Sequence, residues 1–379
     1  MRFAKAVFLS MILATAACFA QTHPQAPVGP PRYFGAIDLG SSGTKGELIL
    51  FYPEAKDQLP KSFSTKIIDT SLVSSMRDNK YTPEGISDAI SAVLLVLDGL
   101  KKEATKEKLP VEVYYVTGSS GVALAANKQD LAVAVKKATG IDMDFIDAKA
   151  EGFYGLTSAA RQEHDETRSI FIDIGSGNTK VGCVVGDIDI KNFKNVEIPY
   201  GSKKVLDAAR KKSPSDLVLG IDAVMKDIDA YYSGESENIP CLRNRQHIYW
   251  TGGAAWATTT FMHPEAALLQ SVKLTKLDLD RFEKELRDGS WNQKQLVFAF
   301  PNNTPQDVRA AIRKEEDFDV NDSAHGVINI FTRDQILSGV SIMQTVLKSS
   351  NPSAQINFLR LNDFILGFAT DKFEKEFVK

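Results

Sequence analysis

The stretch AIDLGSSGTKGELI, Ala36 to Ile49, sets an apolar run carrying one Asp directly against glycines and small hydroxylated residues. IFIDIGSGNTKVGCVV, from Ile170, repeats the arrangement. Each apolar run reads as a buried strand, and the small residues after it as a tight turn into a second strand. Small residues let several backbone N–H groups converge on one point, because only hydrogen or a short hydroxyl stands in the way. Such a nest suits a phosphate. The two Asp-x-Gly-Ser units begin at Asp38 and Asp173, 135 residues apart. That spacing is domain-sized and far beyond a solenoid period. A single copy reads as a hairpin whose Asp caps the turn. Two copies at this separation predict a duplicated α/β architecture with a cleft between the halves.

The chain of 379 residues is 43% hydrophobic and 25% charged, with a net charge of -3. This fits about two globular domains and excludes both a disordered chain and a large nucleic-acid-binding surface. The first twenty residues differ in character. Arg2 and Lys5 precede the apolar run AVFLSMILATAA, and CFA follows it. The run is too short to span a bilayer, and small residues stand where a peptidase cuts. Residues 1–20 are therefore expected to be a secretory signal peptide cleaved after Ala20. The alternatives are an uncleaved anchor and, in TAAC, a lipidated Cys18 as the one attachment to a membrane. The expected location is periplasmic or secreted. Residues 21–32 open with QTHPQAPVGPP, whose four prolines make an extended linker. Cys183 and Cys241 remain after that cut, either paired in an oxidising compartment or as two buried thiols. No CxxC or His/Cys spacing supports zinc.

Outward from the first turn, Thr82 and Pro83 open a helix with an apolar stripe of Ile86, Ile90, Val93, Leu94 and Leu97. VEVYYVTG (111–118) is a strand ended by a Gly/Ser loop, LAVAVKKATG a helix closed by Gly140, and MDFIDA a short strand. KAEGFYGLTSAARQ, Lys149 to Gln162, is a helix leading to the second half. There HIYWTGGAAW, His247 to Trp256, runs from a strand into a glycine-rich turn. Helices are expected around Leu277 to Arg287, over PQDVRAAIRKEEDF, and over DQILSGVSIMQTVLKS and NDFILGFATDKFEKEF. The expected domains are 33–160, 161–350 and a C-terminal helix at 351–379 able to pack back on the first domain.

Asp38 and Asp173 each stand at the mouth of an anion nest, where a carboxylate repels phosphate unless a cation lies between them. The expected ion is Mg²⁺ or Ca²⁺, held largely through water by these two acids. Two such loops facing each other form a clamp on consecutive phosphates.

DLGSSGTK and DIGSGNTK, with TGGAAWATTTF later in the chain, resemble the paired phosphate loops and late glycine-rich motif of the actin, hexokinase and heat-shock-chaperone superfamily. Within it, the chain is similar to the exopolyphosphatase and guanosine-pentaphosphate phosphohydrolase family and to the nucleoside triphosphate diphosphohydrolases, or apyrases. AKAEGFYGL resembles the glutamate-containing crossover helix shared by both groups. IPYGSKKVLDAA and FTRDQILSGVSIMQTVL resemble segments of the exopolyphosphatases. The resemblance runs from Tyr33 to the C-terminus and implies duplicated ribonuclease-H-like (actin-like ATPase) domains around a central cleft. It implies a metal-dependent phosphoanhydride hydrolase acting on nucleotides or polyphosphate, as a monomer or homodimer. Glu151 takes the place of the catalytic glutamate, activating a water for in-line attack. Gly40, Ser41, Ser42, Gly43, Thr44 and Lys45, with Gly175, Ser176, Gly177, Asn178 and Thr179, would hold phosphate. Gly252, Gly253 and Ala254 would border a nucleotide, and Trp250 and Trp256 are either stacking surfaces or core aromatics.

The chain departs from these families at two places. Lys180 stands where the hydrolases carry Glu or Gln, and a charged lysine takes no proton from water. TGSSGVALAAN, Thr117 to Asn127, lacks their phosphate-contacting arginine. Two readings follow: a hydrolase that is slower or differently organised, or a non-catalytic phosphate- or nucleotide-binding protein on the same scaffold.

Overall fold

The computed structural model describes residues 29–40, 43–54, 60–69, 72, 75–161, 165–263, 266, 271–290, 327, 330–359 and 364–378. The expected leader, most of the linker, Ser41, Ser42 and the PQDVRAAIRKEEDF helix lie outside the described residues.

In the first half, β1 (Arg32–Leu39), β2 (Gly43–Phe51) and β3 (Lys61–Asp69) form an antiparallel meander. Helix α1 (Pro83–Lys106) returns the chain to β4 (Val111–Gly118), parallel to β1; α2 (Ser120–Ala123) and α3 (Lys128–Thr139) lead to β5 (Met143–Phe145). Helix α4 (Ala148–Ala160) enters the second half. There β6 (Ser169–Ile174), β7 (Thr179–Val184) and β8 (Phe193–Ile198) form another meander, followed by α5 (Ser202–Lys212), α6 (Leu217–Ser236) and α7 (Cys241–Asn244). The chain continues through β9 (His247–Thr251), α8 (Gly253–Met262), β10 (Ser271–Leu274) and α9 (Lys276–Asp288), then α10 (Arg333–Lys348), β11 (Gln355–Leu359) and α11 (Phe364–Phe377).

The sheets run β3-β2-β1-β4-β5 and β10-β11-β9-β6-β7-β8. Taken from its other edge, β8-β7-β6-β9-β11 repeats the order and strand directions of the first sheet, and β10 is an added antiparallel edge. The duplication therefore extends from the two turns to the whole topology.

Local chemistry sets the boundaries. Thr82 Oγ1 accepts the Gly85 N–H at 3.1 Å, Asp147 caps α4 through the Ala150 N–H at 2.7 Å, and Gly140 ends α3 at φ 77°. Strand alternation then divides the core. Ile37 and Leu39 pack under α1 with Val93, Val96 and Leu100, whereas Phe34, Ala36 and Ile49 face α11. Ile170, Ile172 and Ile174 join the large core beneath α5, α6 and α10. Phe171, Val184 and Phe193 face Leu156, Ala159 and Ala160 of α4. Thus α4 covers the inner face of the second sheet, α11 that of the first, and the two helices meet. Tyr154 Oη donates to Asp371 at 2.8 Å, and a Cβ on Gly367 would lie 2.5 Å from the Tyr154 carbonyl.

The closing segment differs from the expected helix at 351–379: Gln355–Leu359 is a strand wedged between β9 and β10. Five residues buried on both faces show no period, so nothing in QINFL distinguished it. The strand β3 was missed for want of a clear alternation in KSFSTKIID.

Cys183 on β7 and Cys241 on α7 are joined in a disulfide, with Cα atoms 6.2 Å apart and a sequence separation of 58. Loop-closure entropy for a crosslink of that span is about 4 kcal/mol. Cys241→Ser should lose about that much in urea unfolding, and reductant should remove the same amount from the unsubstituted protein only. Equal stability of the two proteins, with or without reductant, would show that the thiols are not paired.

Candidate functional site

Asp38 and Asp173 each lie one residue before the end of a strand, on the face opposite Ile37 and Leu39 or Ile172 and Ile174. Alternation therefore turns both acids inward, toward the side of α4 and α11. Their antiparallel partners are Lys45 and Lys180, in register. The turns between acid and lysine close with the same hydrogen bond: Gly40 N–H to the Gly43 carbonyl at 2.8 Å, and Gly175 N–H to the Asn178 carbonyl at 3.0 Å. Each half presents the same closing hydrogen bond beside one Asp–Lys pair in register.

In the second half that pair recruits a third charge. Lys180 Nζ donates to Asp173 Oδ2 at 2.8 Å and to Glu151 Oε1 at 2.6 Å. Glu151 lies in the first turn of α4, and its Oε2 accepts the Ser120 N–H at 2.9 Å. Glu151 and Lys180 are each only 4% exposed. Burial alone would pull the Lys180 ammonium below the ordinary lysine value, but the Asp173 and Glu151 carboxylates outweigh it and hold it above that value. In the first half Lys45 instead pairs, at 2.7 Å, with Glu47 two residues along its own strand, and Glu47 is fully buried.

The second turn is held from behind by the start of α5. Ser202 N–H donates to the Gly175 carbonyl at 3.0 Å, and the Lys203 and Lys204 amides both donate to that of Ser176 at 3.1 Å. Gly201 permits this approach, since a Cβ there would lie 2.3 Å from the Gly175 oxygen. Gly252, at φ 93°, closes the other side: a Cβ would be 2.6 Å from the Ile174 oxygen and 3.0 Å from Asp173 Oδ1.

Several expected phosphate ligands turn away from the cleft. Thr44 and Thr179 are fully buried, and Thr179 Oγ1 donates to the Tyr200 carbonyl at 2.9 Å. Neither hydroxyl can reach a ligand, because both belong to strand ladders rather than to the turns. The Asn178 amide is committed to Glu197, at 2.6 Å. Gly253 packs on the Phe331 ring and Ala254 is buried, and Gly252 of the same turn lies against the second loop. Trp250 is a core residue, fully buried, and Trp256 packs edge-on to Phe331 at 6.3 Å. Sequence reasoning missed Ser120, Gly201 and Glu47. The Lys45/Glu47 spacing within a strand was the available signal, since residues two apart share a face.

The expected divalent ion fits the second half poorly. Asp173 and Glu151 already share an ammonium.

No protein-family model matches the chain, and no curated protein sequence does. Solved structures do. A Ppx/GppA family member from Aquifex aeolicus superposes with a TM-score of 0.63 at 15% identity, covering 92% of this chain and 99% of its own. An exopolyphosphatase from Cytophaga hutchinsonii gives 0.64 at 16%, covering 91% and 98%. The chain has the two-domain, actin-like fold of the Ppx/GppA structures. At such identities the likeness establishes the fold, and chemistry has to be argued from the site.

Lys180→Met should cost about 3–5 kcal/mol in urea unfolding, because it leaves the buried Glu151 carboxylate, and the partly buried Asp173 beside it, without their cation. The folded-state pKa of Lys180 is raised, so its contribution is complete below the ordinary lysine value and lost only as pH rises through the folded value. The gap between the two proteins should therefore be constant from about pH 7 to pH 9. A gap that shrank across that range, or none at all, would contradict the buried triad.

Proposed function

We propose that the chain is an exported phosphoanhydride hydrolase acting on nucleoside tri- or diphosphates or on polyphosphate, with Glu151 directing the attacking water. The observation that carries this reading is the pair of matching turns, each beside an Asp–Lys pair on the inner face of its sheet. The Ppx/GppA fold of the neighbours, one of them an exopolyphosphatase, supports it. Backbone amides of the two turns and the nearby ammonium groups suit the charge that develops on phosphoryl oxygens.

Glu151 is held in place for its part, one carboxylate oxygen accepting from the Lys180 ammonium and the other from the Ser120 amide. A carboxylate has about four acceptor sites, so two donors leave room for a water hydrogen. In the proposed step the water oxygen attacks the terminal phosphorus in line, its proton passes to Glu151, and the bridging P–O bond breaks toward the remaining phosphate chain. The near-complete burial of Glu151 means that access requires the two halves to open and close around substrate. Export is supported by the leader-like first twenty residues and by the disulfide, a bond that persists in oxidising compartments. Outside the cytoplasm ATP is scarce, which favours hydrolysis over kinase chemistry.

The second reading, a non-catalytic binding protein, has one observation in its favour: Lys180 holds the very carboxylate that catalysis would use. Phosphate release from ATP, ADP, GTP, guanosine tetraphosphate and long-chain polyphosphate separates the two. The protein should release phosphate from at least one, and Glu151→Ala should lower that rate about 10²–10⁴-fold. Binding of a panel member with release no faster than in Glu151→Ala would establish the binding protein instead.

A further inference from the structure

We propose that Lys180 is the resident cation of the second phosphate turn, occupying between Asp173 and Glu151 the position a divalent ion would otherwise take, so that no divalent ion binds Asp173. The inference deepens the hydrolase reading by naming how that site meets negative charge, and the test below uses no substrate, so either can fail alone.

The geometry is specific. The ammonium lies 2.8 Å from one acid and 2.6 Å from the other, in line with charge-assisted hydrogen bonds. Mg²⁺ or Ca²⁺ coordinates carboxylate oxygens at about 2.0–2.6 Å, so an ion on those same oxygens would have to displace the ammonium. The Lys180 backbone is pinned on both sides in the β-ladder, opposite Asp173 on β6 and Glu197 on β8, and its side chain is 6% exposed. The other Asp173 oxygen faces the Gly252 backbone, against which even a Cβ would be crowded. Glu151 is committed in turn, its second oxygen held by the Ser120 amide. The acids that a divalent ion would need are thus each occupied by a donor belonging to the chain.

In the first half Lys45, the counterpart of Lys180, pairs with Glu47 on its own strand. The cation substitution is assigned here to the second turn. At that turn the Lys180 ammonium offsets one of the two neighbouring carboxylate charges and holds both acids in place.

Mn²⁺ binding by the substrate-free protein, followed by electron paramagnetic resonance, tests this. The unsubstituted protein and Asp173→Asn should bind Mn²⁺ identically. Lys180→Gln should gain one Mn²⁺ per chain, and Lys180→Gln with Asp173→Asn should lose it again. A Mn²⁺ site in the unsubstituted protein that Asp173→Asn removes would overturn the proposal, as would a folded Lys180→Gln protein, checked by circular dichroism, that gains none. If Lys180→Gln does not fold, the comparison of the unsubstituted protein with Asp173→Asn still decides the matter.

Discussion

The ammonium of Lys180 ties together parts of the chain far apart in sequence. It binds Asp173 at the end of β6, reaches Glu151 in the first turn of α4, and through Glu151 engages the amide that opens α2 in the first half. Buried charges are tolerated only when each has partners, because their lost hydration is large. The consequence is positional. Strand β7, helix α4 and the end of β4 must meet in one arrangement for the two buried charges of Lys180 and Glu151 and the partly buried Asp173 to be satisfied together. Exposed pairs such as Lys102 with Asp98 on α1 impose no such requirement, since water satisfies either partner alone.

Duplication explains the site, and divergence explains its asymmetry. Both halves keep the Asp, the closing hydrogen bond and the lysine. They differ in the glutamate the lysine pairs with. In the first half it is Glu47 on the same strand; at the same offset the second half has Gly182, where the Phe193 ring lies so close that a Cβ would approach to 2.1 Å. With that position filled by an aromatic ring, the acid comes from the crossing helix instead. Glu151 is thereby placed between the two halves, bonded to Lys180 of the second and to the Ser120 amide of the first.

Much of this was legible before the fold was known. The DLGSSGTK and DIGSGNTK repeats, Thr82 and Pro83 at a helix start, Gly140 at a helix end and the helix carrying Glu151 all rest on local chemistry that needs no tertiary context. The roles of Thr44 and Thr179 were not legible, because whether a residue belongs to the turn or the ladder depends on where the pairing register begins. Gly201 and Gly252 were opaque for a similar reason. Each is required by a chain segment remote in sequence that presses against it. The bond between Lys180 and Glu151 joins residues 29 apart, and only the packing of α4 across β6 and β7 brings them together.

The most direct test of a two-sided phosphate clamp is a crystal structure of the protein with a non-hydrolysable imido-linked nucleotide or phosphate chain. Consecutive phosphates are predicted within hydrogen-bond distance of backbone amides in both turns, residues 40–43 and 175–178, with the terminal phosphorus on the Glu151 side. A ligand held by one turn alone, or bound outside the space between the sheets, would contradict the clamp and the hydrolase built upon it.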